Sequence, residues 1–242
     1  MRLLGVHMDA FVLKIIAIIS MAFDHSGYLI FNGHFSYFNY IGRFAFPIFA
    51  FQISQGYIHT KNFKKYATRL GIFAIISQIP FMLFIHYVVG ENFALNVFFT
   101  LFLGLLSIYA YDKLFEKYKS IGLLIPICLG ILAQYIKTDY GFYGVAIILL
   151  FYIFRNHKYI MAFSFALATI TKYTIDIYQL VIIHYQNIEV YKIYGLLCIC
   201  TILPTILILI YNGKKGRDTK HLLYLFYPLH LLLLYGLYFL KI

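Results

Sequence analysis

Apolar runs long enough to cross a bilayer follow one another along nearly the whole chain, and no other feature restricts the fold so tightly. A transmembrane helix needs about 20 predominantly apolar residues, with a range of about 17–25. At that length the sequence predicts spans near 11–31, 38–58, 70–89, 95–111, 121–137, 141–154, 159–176, 192–211 and 222–240, the sixth of them short. Hydrophobic residues make up 62% of the 242 and charged residues 12%, with a mean hydropathy of +0.81. Soluble domains carry about 25% charged residues, so this chain has too little polar surface to fold in water. The expected fold is an all-α polytopic membrane protein, with about nine transmembrane helices in one bundle and a single domain over residues 1–242.

The formal net charge of +11 would suggest nucleic acid on a soluble protein, but the lysines gather in short connections. Those near 59–69, 112–120, 155–158 and 212–221 hold Lys61, Lys64, Lys65, Arg69, Lys113, Lys117, Lys119, Arg155, Lys158, Lys214, Lys215, Arg217 and Lys220. The alternate connections hold only Lys137 and Lys192. Thirteen against two is the bias of cytoplasmic loops. It predicts a cytoplasmic N-terminus, an extracytoplasmic C-terminus, the cytoplasmic (inner) membrane as location and no nucleic-acid partner. The first run is too long for a signal-peptide core and is read as an uncleaved span. Cys128, Cys198 and Cys200 lie in apolar runs without metal-ligand spacing, and no metal site is expected.

The segment from Lys14 to Gly56 carries charges where lipid-embedded helices should have none. Asp24 and His25 lie well inside the first run, and Arg43 near the start of the second, four residues before Pro47. A charge at membrane depth costs about 2.5 kcal/mol or more on insertion scales, so such residues usually have partners and a task. Residues adjacent on a helix point about 100° apart. Asp24 is therefore expected to face Arg43 while His25 faces the bundle interior and takes an orienting partner from another helix, Asp139 or Asp176. Histidine is well suited to accept and return a proton near neutral pH. Asn96, Thr100, Lys137, Asp139, Tyr140, Lys172, Asp176 and His230 are expected to share the same outer slab of the membrane. Lys137, Asp139, Lys172 and Asp176 equally fit helix-end residues reaching for water, and Asn96 and Thr100 fit interhelical hydrogen bonding. Pro47, Pro80, Pro126, Pro204 and Pro228 each predict a bend, and the carbonyl that Pro47 frees is that of Arg43.

The series LKIIAIISMAFDH, IGRFAFPIFAFQISQGYIHTKNFKKYATRLGIFAIISQIPF, LNVFFTLFLGL and YLFYPLH resembles the TraX family of integral membrane proteins. That family takes its name from a conjugation protein associated with N-terminal acetylation of pilin. More distantly the layout is similar to transmembrane acyltransferases, in which an intramembrane histidine passes an acetyl group from cytoplasmic acetyl-CoA to an acceptor on the far side. The resemblance implies that Asp24, His25, Arg43, Pro47, Asn96, Thr100, Pro228 and His230 occupy motif positions.

Together the residues and the resemblance lead us to expect an acetyl-CoA-dependent N- or O-acetyltransferase. Lys61, Lys64, Lys65 and Arg69 would hold the CoA phosphates, or act only as topology determinants, and the pantetheine arm would thread inward to His25. His25 would act as general base, or carry the acetyl group itself. Arg43, Asn96 or His230 would stabilise the oxyanion. The expected partners are membrane lipid, acetyl-CoA and a secreted or membrane-anchored peptide or cell-envelope acceptor. A secondary transporter also carries ionisable groups and broken helices at depth, and a non-catalytic assembly factor shares the topology. Neither paired halves nor an inverted repeat supports the transporter, and the assembly factor leaves the buried charges unexplained.

Overall fold

The computed structural model describes residues 8–184, 188–217 and 222–240, and among these the chain is helical throughout, with one isolated β-bridge pair, Leu95 and Thr138. In order the helices are α1 (Ala10–Ile30), α2 (Tyr37–Gly42), α3 (Ala45–His59), α4 (Phe63–Ile76), α5 (Gln78–Phe84), α6 (Val97–Leu114), α7 (Lys119–Tyr135), α8 (Gly141–Ile153), α9 (Lys158–His184), α10 (Ile188–Ile202), α11 (Thr205–Leu209) and α12 (Leu222–Leu240). Six stretches are long and apolar enough to cross a membrane: Ala10–Ile30, Phe63–Val89, Val97–Leu114, Lys158–Val181, Ile188–Leu209 and Leu222–Leu240. Nine were expected. The apolar helices α7 and α8 have only 17 and 13 residues, and the second expected span is split between α2 and α3. Lys220, counted among the basic connections, lies outside the described residues.

The split follows from covalent chemistry. Pro47 is the third residue of α3, where a helix has no intrahelical acceptor for an N–H anyway, so the proline starts a new helix rather than kinking an old one. Pro80 takes the same place in α5, and Pro204 directly precedes α11. Pro126 and Pro228 are instead tolerated inside α7 and α12.

Contacts sort the connections into two ends of the bundle. At one end Tyr57 of α3 and Tyr152 of α8 both donate to the Asp112 carboxylate of α6, which also pairs with Lys113 at 2.9 Å. Lys158 donates to the carbonyls of Leu209 and Tyr211, and the Ala10 amide to that of Lys214. The opposite end joins the connection before α6 to that before α8, where Leu95 and Asp139 exchange backbone hydrogen bonds with Lys137 and Leu95. The basic connections thus share one end, as the alternation of lysines predicts.

Between the ends, α3, α6 and α8 form the core. Ile48, Leu101, Leu105, Ile147 and Phe151 are fully buried there, whereas Ile75 and Ile79 on the outer face of α4 and α5 are 69% and 70% exposed. Glycines let α6 and α8 approach: a Cβ on Gly104 would meet Ile148, and one on Gly144 would meet Thr100.

Asn96 proves to be structural. It caps α6, accepting from the Phe98 amide at 3.0 Å, and its amide donates to the Ala74 carbonyl and to Gln78 Oε1, each at 2.8 Å. Both amide hydrogens are committed and the residue is fully buried, so it has no donor left for an oxyanion. An N-cap contributes about 1 kcal/mol, and each buried polar group left unpaired costs about 1–3 kcal/mol. Asn96→Ala should therefore destabilise the protein by about 2 kcal/mol or more in a denaturant titration in detergent, while each folded molecule keeps its activity.

Candidate active site

The site begins where α1 crosses α2. Gly42 makes the crossing possible, because a Cβ there would run into the Asp24 side chain. Asp24 Oδ1 accepts from Arg43 and from Asn39 Nδ2, at 3.1 and 3.0 Å. Arg43 Nε also donates to the Asn39 carbonyl at 3.1 Å. Asn39 is held in turn by Ser36, whose amide donates to Asn39 Oδ1 at 2.7 Å in a capping box at the start of α2. The expected Asp24–Arg43 pair is present, with side chains only 17% and 23% exposed. The break before α3 lets Arg43 turn back toward it.

His25, one residue on, faces α12. Its Nδ1 lies 2.7 Å from Nε2 of His230, and His230 Nδ1 lies 2.8 Å from the Phe226 carbonyl oxygen. A carbonyl only accepts, so His230 Nδ1 carries a proton. In the neutral ring Nε2 is then the acceptor. His25 must donate to it from Nδ1, which leaves His25 Nε2 as a bare lone pair. The sequence pointed to Asp139 or Asp176 as the orienting partner; the structure gives His230 instead. With Nε2 bound to His25 and Nδ1 to a carbonyl, His230 also has no donor for an oxyanion.

His25 lines a cavity of about 1260 Å³. Asp24, Arg43, Lys137, Asp139, Tyr140, Lys172 and Asp176 share its wall, so most of the expected polar slab is brought together. Lys172 pairs with Asp176 at 2.5 Å, one turn apart on α9. Asp139, in the connection between α7 and α8, has its carboxyl pushed up to about 7 by burial, against the pull of the Arg43 guanidinium. Asn96 is not on this wall. Thr100 stands behind it, accepting from the Tyr140 amide at 3.4 Å, and the Tyr140 ring stacks on Phe46.

The basic residues behave differently. Lys64, Lys65 and Arg69 line a separate hollow of about 420 Å³ with Asn62 and Thr68, and Lys61 is not part of it. The two cavities share no lining residue, so this basic cluster and His25 do not open onto one cavity. The Arg69 guanidinium lies over the rings of Tyr66 and Tyr224.

Asn39 and Tyr227 were not singled out in the sequence. Asn39 carried a signal, Ser36 three residues before it at the start of a helix. Tyr227 lies on the cavity wall with its ring fully buried, and the only signal for it was its place in the YLFYPLH block.

Removing one partner of a buried ion pair strands the other, at a cost of about 3–5 kcal/mol. Asp24→Asn and Arg43→Met should each destabilise the protein by that order. The double variant should lose less than the sum in a double-mutant cycle of unfolding free energies.

Fold and site define a class: an all-helical multi-pass membrane protein with a hydrogen-bonded histidine pair beside a charged cavity. The family described as TraX protein matches residues 10–238, and the chain belongs to that family. A protein of Dichelobacter nodosus named "Probable fimbrial assembly protein FimC, serogroup H1" is 28% identical over 242 residues, covering 95% of this chain and 96% of that one. No solved structure matches the chain.

Proposed function

We propose that the protein is a membrane-embedded acyltransferase, moving an acetyl group from cytoplasmic acetyl-CoA to an amine or hydroxyl presented across the cytoplasmic membrane. In this reading α7, α8 and the broken α2–α3 segment complete a nine-crossing bundle with its basic end in the cytoplasm. The observation that carries the proposal is the 2.7 Å contact between His25 Nδ1 and His230 Nε2, which leaves His25 Nε2 free to act as base beside a cavity of about 1260 Å³.

The acceptor's nitrogen or oxygen attacks the thioester carbonyl carbon while His25 Nε2 takes its proton. A C–N or C–O bond forms and the carbonyl electrons move onto oxygen. Of the three residues expected to stabilise that oxyanion, Arg43, on the same wall, is the one left now that Asn96 and His230 are committed elsewhere. The C–S bond then breaks, and His25 returns the proton to the departing sulfur, releasing CoA as the thiol. His230 acts as a positioning residue that keeps the His25 proton on Nδ1. The name of the Dichelobacter nodosus relative favours a fimbrial subunit, hence a peptide, as acceptor.

Purified protein incubated with labelled acetyl-CoA and membranes of its host should place label on a peptide or envelope component that gains one acetyl group in mass. His25→Ala should lower that rate by about 10²–10⁴-fold with the protein still folded and inserted, and His230→Gln should lower kcat without changing KM for acetyl-CoA. Wild-type rates from His25→Ala would refute the mechanism. Fimbriae that assemble normally with that variant would do the same for its biological role.

A further inference from the structure

The cavity beside His25 is long rather than round. Its wall on α9 is formed by Ser164, Ala168, Thr171, Lys172, Ile175 and Gln179, one helix face repeating every three or four residues. At a rise of 1.5 Å per residue this face covers about 22 Å. On α8 the same wall runs from Gly141 through Ala146 to Leu150. The charged groups gather at the end marked by Lys137, Asp139, Lys172 and Asp176. Toward the other end Ala146, Leu150, Ser164, Leu167 and Ala168 make an uncharged arm of small and apolar side chains.

That arm points at the basic end of the bundle. Leu150 is five residues before Arg155, and Ser164 six residues after Lys158, so the α8–α9 connection with exposed Arg155, His157 and Lys158 follows the arm along both helices, with none of the three on the cavity wall itself. Arg155 is preset there, its guanidinium 4.2 Å from the centre of the Tyr152 ring and donating to the Tyr152 carbonyl at 2.9 Å. The chemistry of the two regions differs in a way that fits one kind of molecule. An uncharged flexible chain can lie in an apolar arm, whereas its phosphates, too costly to desolvate, stay outside among cations.

We propose that the arm between α8 and α9 binds the extended, uncharged chain of a phosphate-bearing thioester donor, with the phosphates held by Arg155, His157 and Lys158. The inference rests on the acyltransfer reading and deepens it. It moves the donor site from the Lys64–Arg69 hollow, on a helix that contributes nothing to the cavity wall, to the connection between the two helices, α8 and α9, that form much of that wall. The thioester then reaches the charged end beside His25 along the α8–α9 wall of the cavity.

The test uses the full chain in nanodiscs, with CoA binding measured by equilibrium dialysis and acetyl transfer by initial rates. Ala168→Trp fills the arm and Arg155→Gln with Lys158→Gln strips the cations; each should weaken CoA binding and raise KM for acetyl-CoA tenfold or more. Ala168→Leu, a smaller plug, should give an intermediate shift and guards against a Trp variant that fails to fold. Lys64→Gln with Arg69→Gln is the competing arm. A tenfold loss of CoA binding there, with the α8–α9 variants unaffected, would overturn the assignment while leaving acyl transfer standing. Wild-type protein that neither binds CoA nor transfers acetyl would instead remove the acyltransfer reading, and the donor site with it.

Discussion

An aspartate and an arginine held 3.1 Å apart among apolar helices set the conditions for everything around them. Neither is tolerable alone at membrane depth, so the chain must bring α2 against α1 and keep it there. Gly42 permits the approach, Asn39 donates a second hydrogen bond to Asp24 Oδ1, and the break before Pro47 frees the backbone to turn Arg43 inward. With Asp24 turned to α2, the 100° step of the helix carries His25 toward α12. The ion pair thus aims the imidazole, and His230 fixes which nitrogen carries its proton.

Much of the fold was legible in the sequence because hydropathy is a sum over many residues and a single exception hardly moves it. Every expected apolar stretch is helical, and the basic connections share one end. The number of spans was not legible in the same way, since where a helix stops depends on local chemistry such as Pro47 and on helices of 13 and 17 residues. The Asp24–Arg43 pair was predictable from opposite charges at one depth in neighbouring runs. The partner of His25 was not: His230 lies 205 residues away, and two carboxylates of suitable depth were better candidates on charge alone. Of the two roles open to Asn96 in the sequence, interhelical hydrogen bonding and oxyanion stabilisation, the structure shows the first. Its position just before an apolar run is that of an N-cap, and the cap leaves it nothing to offer a reaction.

The lysines teach a second lesson. Lys61, Lys64, Lys65 and Arg69 follow the GRFAFPIFAF block in the sequence, and that position made them the natural seat for phosphates. A binding site also needs a hollow that leads to the chemistry, and that is a property of packing between distant helices. The wall assembled from α8 and α9 runs toward the basic end, as far as Leu150 and Ser164, through side chains that carry no charge, so no composition window reveals it. Membership of the TraX family and the likeness to a fimbrial assembly protein fit a role at the envelope, while the chemistry rests on the histidine pair.

That pair makes one claim that spectroscopy can read directly. Nitrogen-15 chemical shifts of His25 in the folded protein at neutral pH should report a protonated Nδ1 and a bare Nε2, and substituting His230 by glutamine should disturb that assignment. A proton resident on His25 Nε2 would contradict the account, because the ring would then present no base to the cavity.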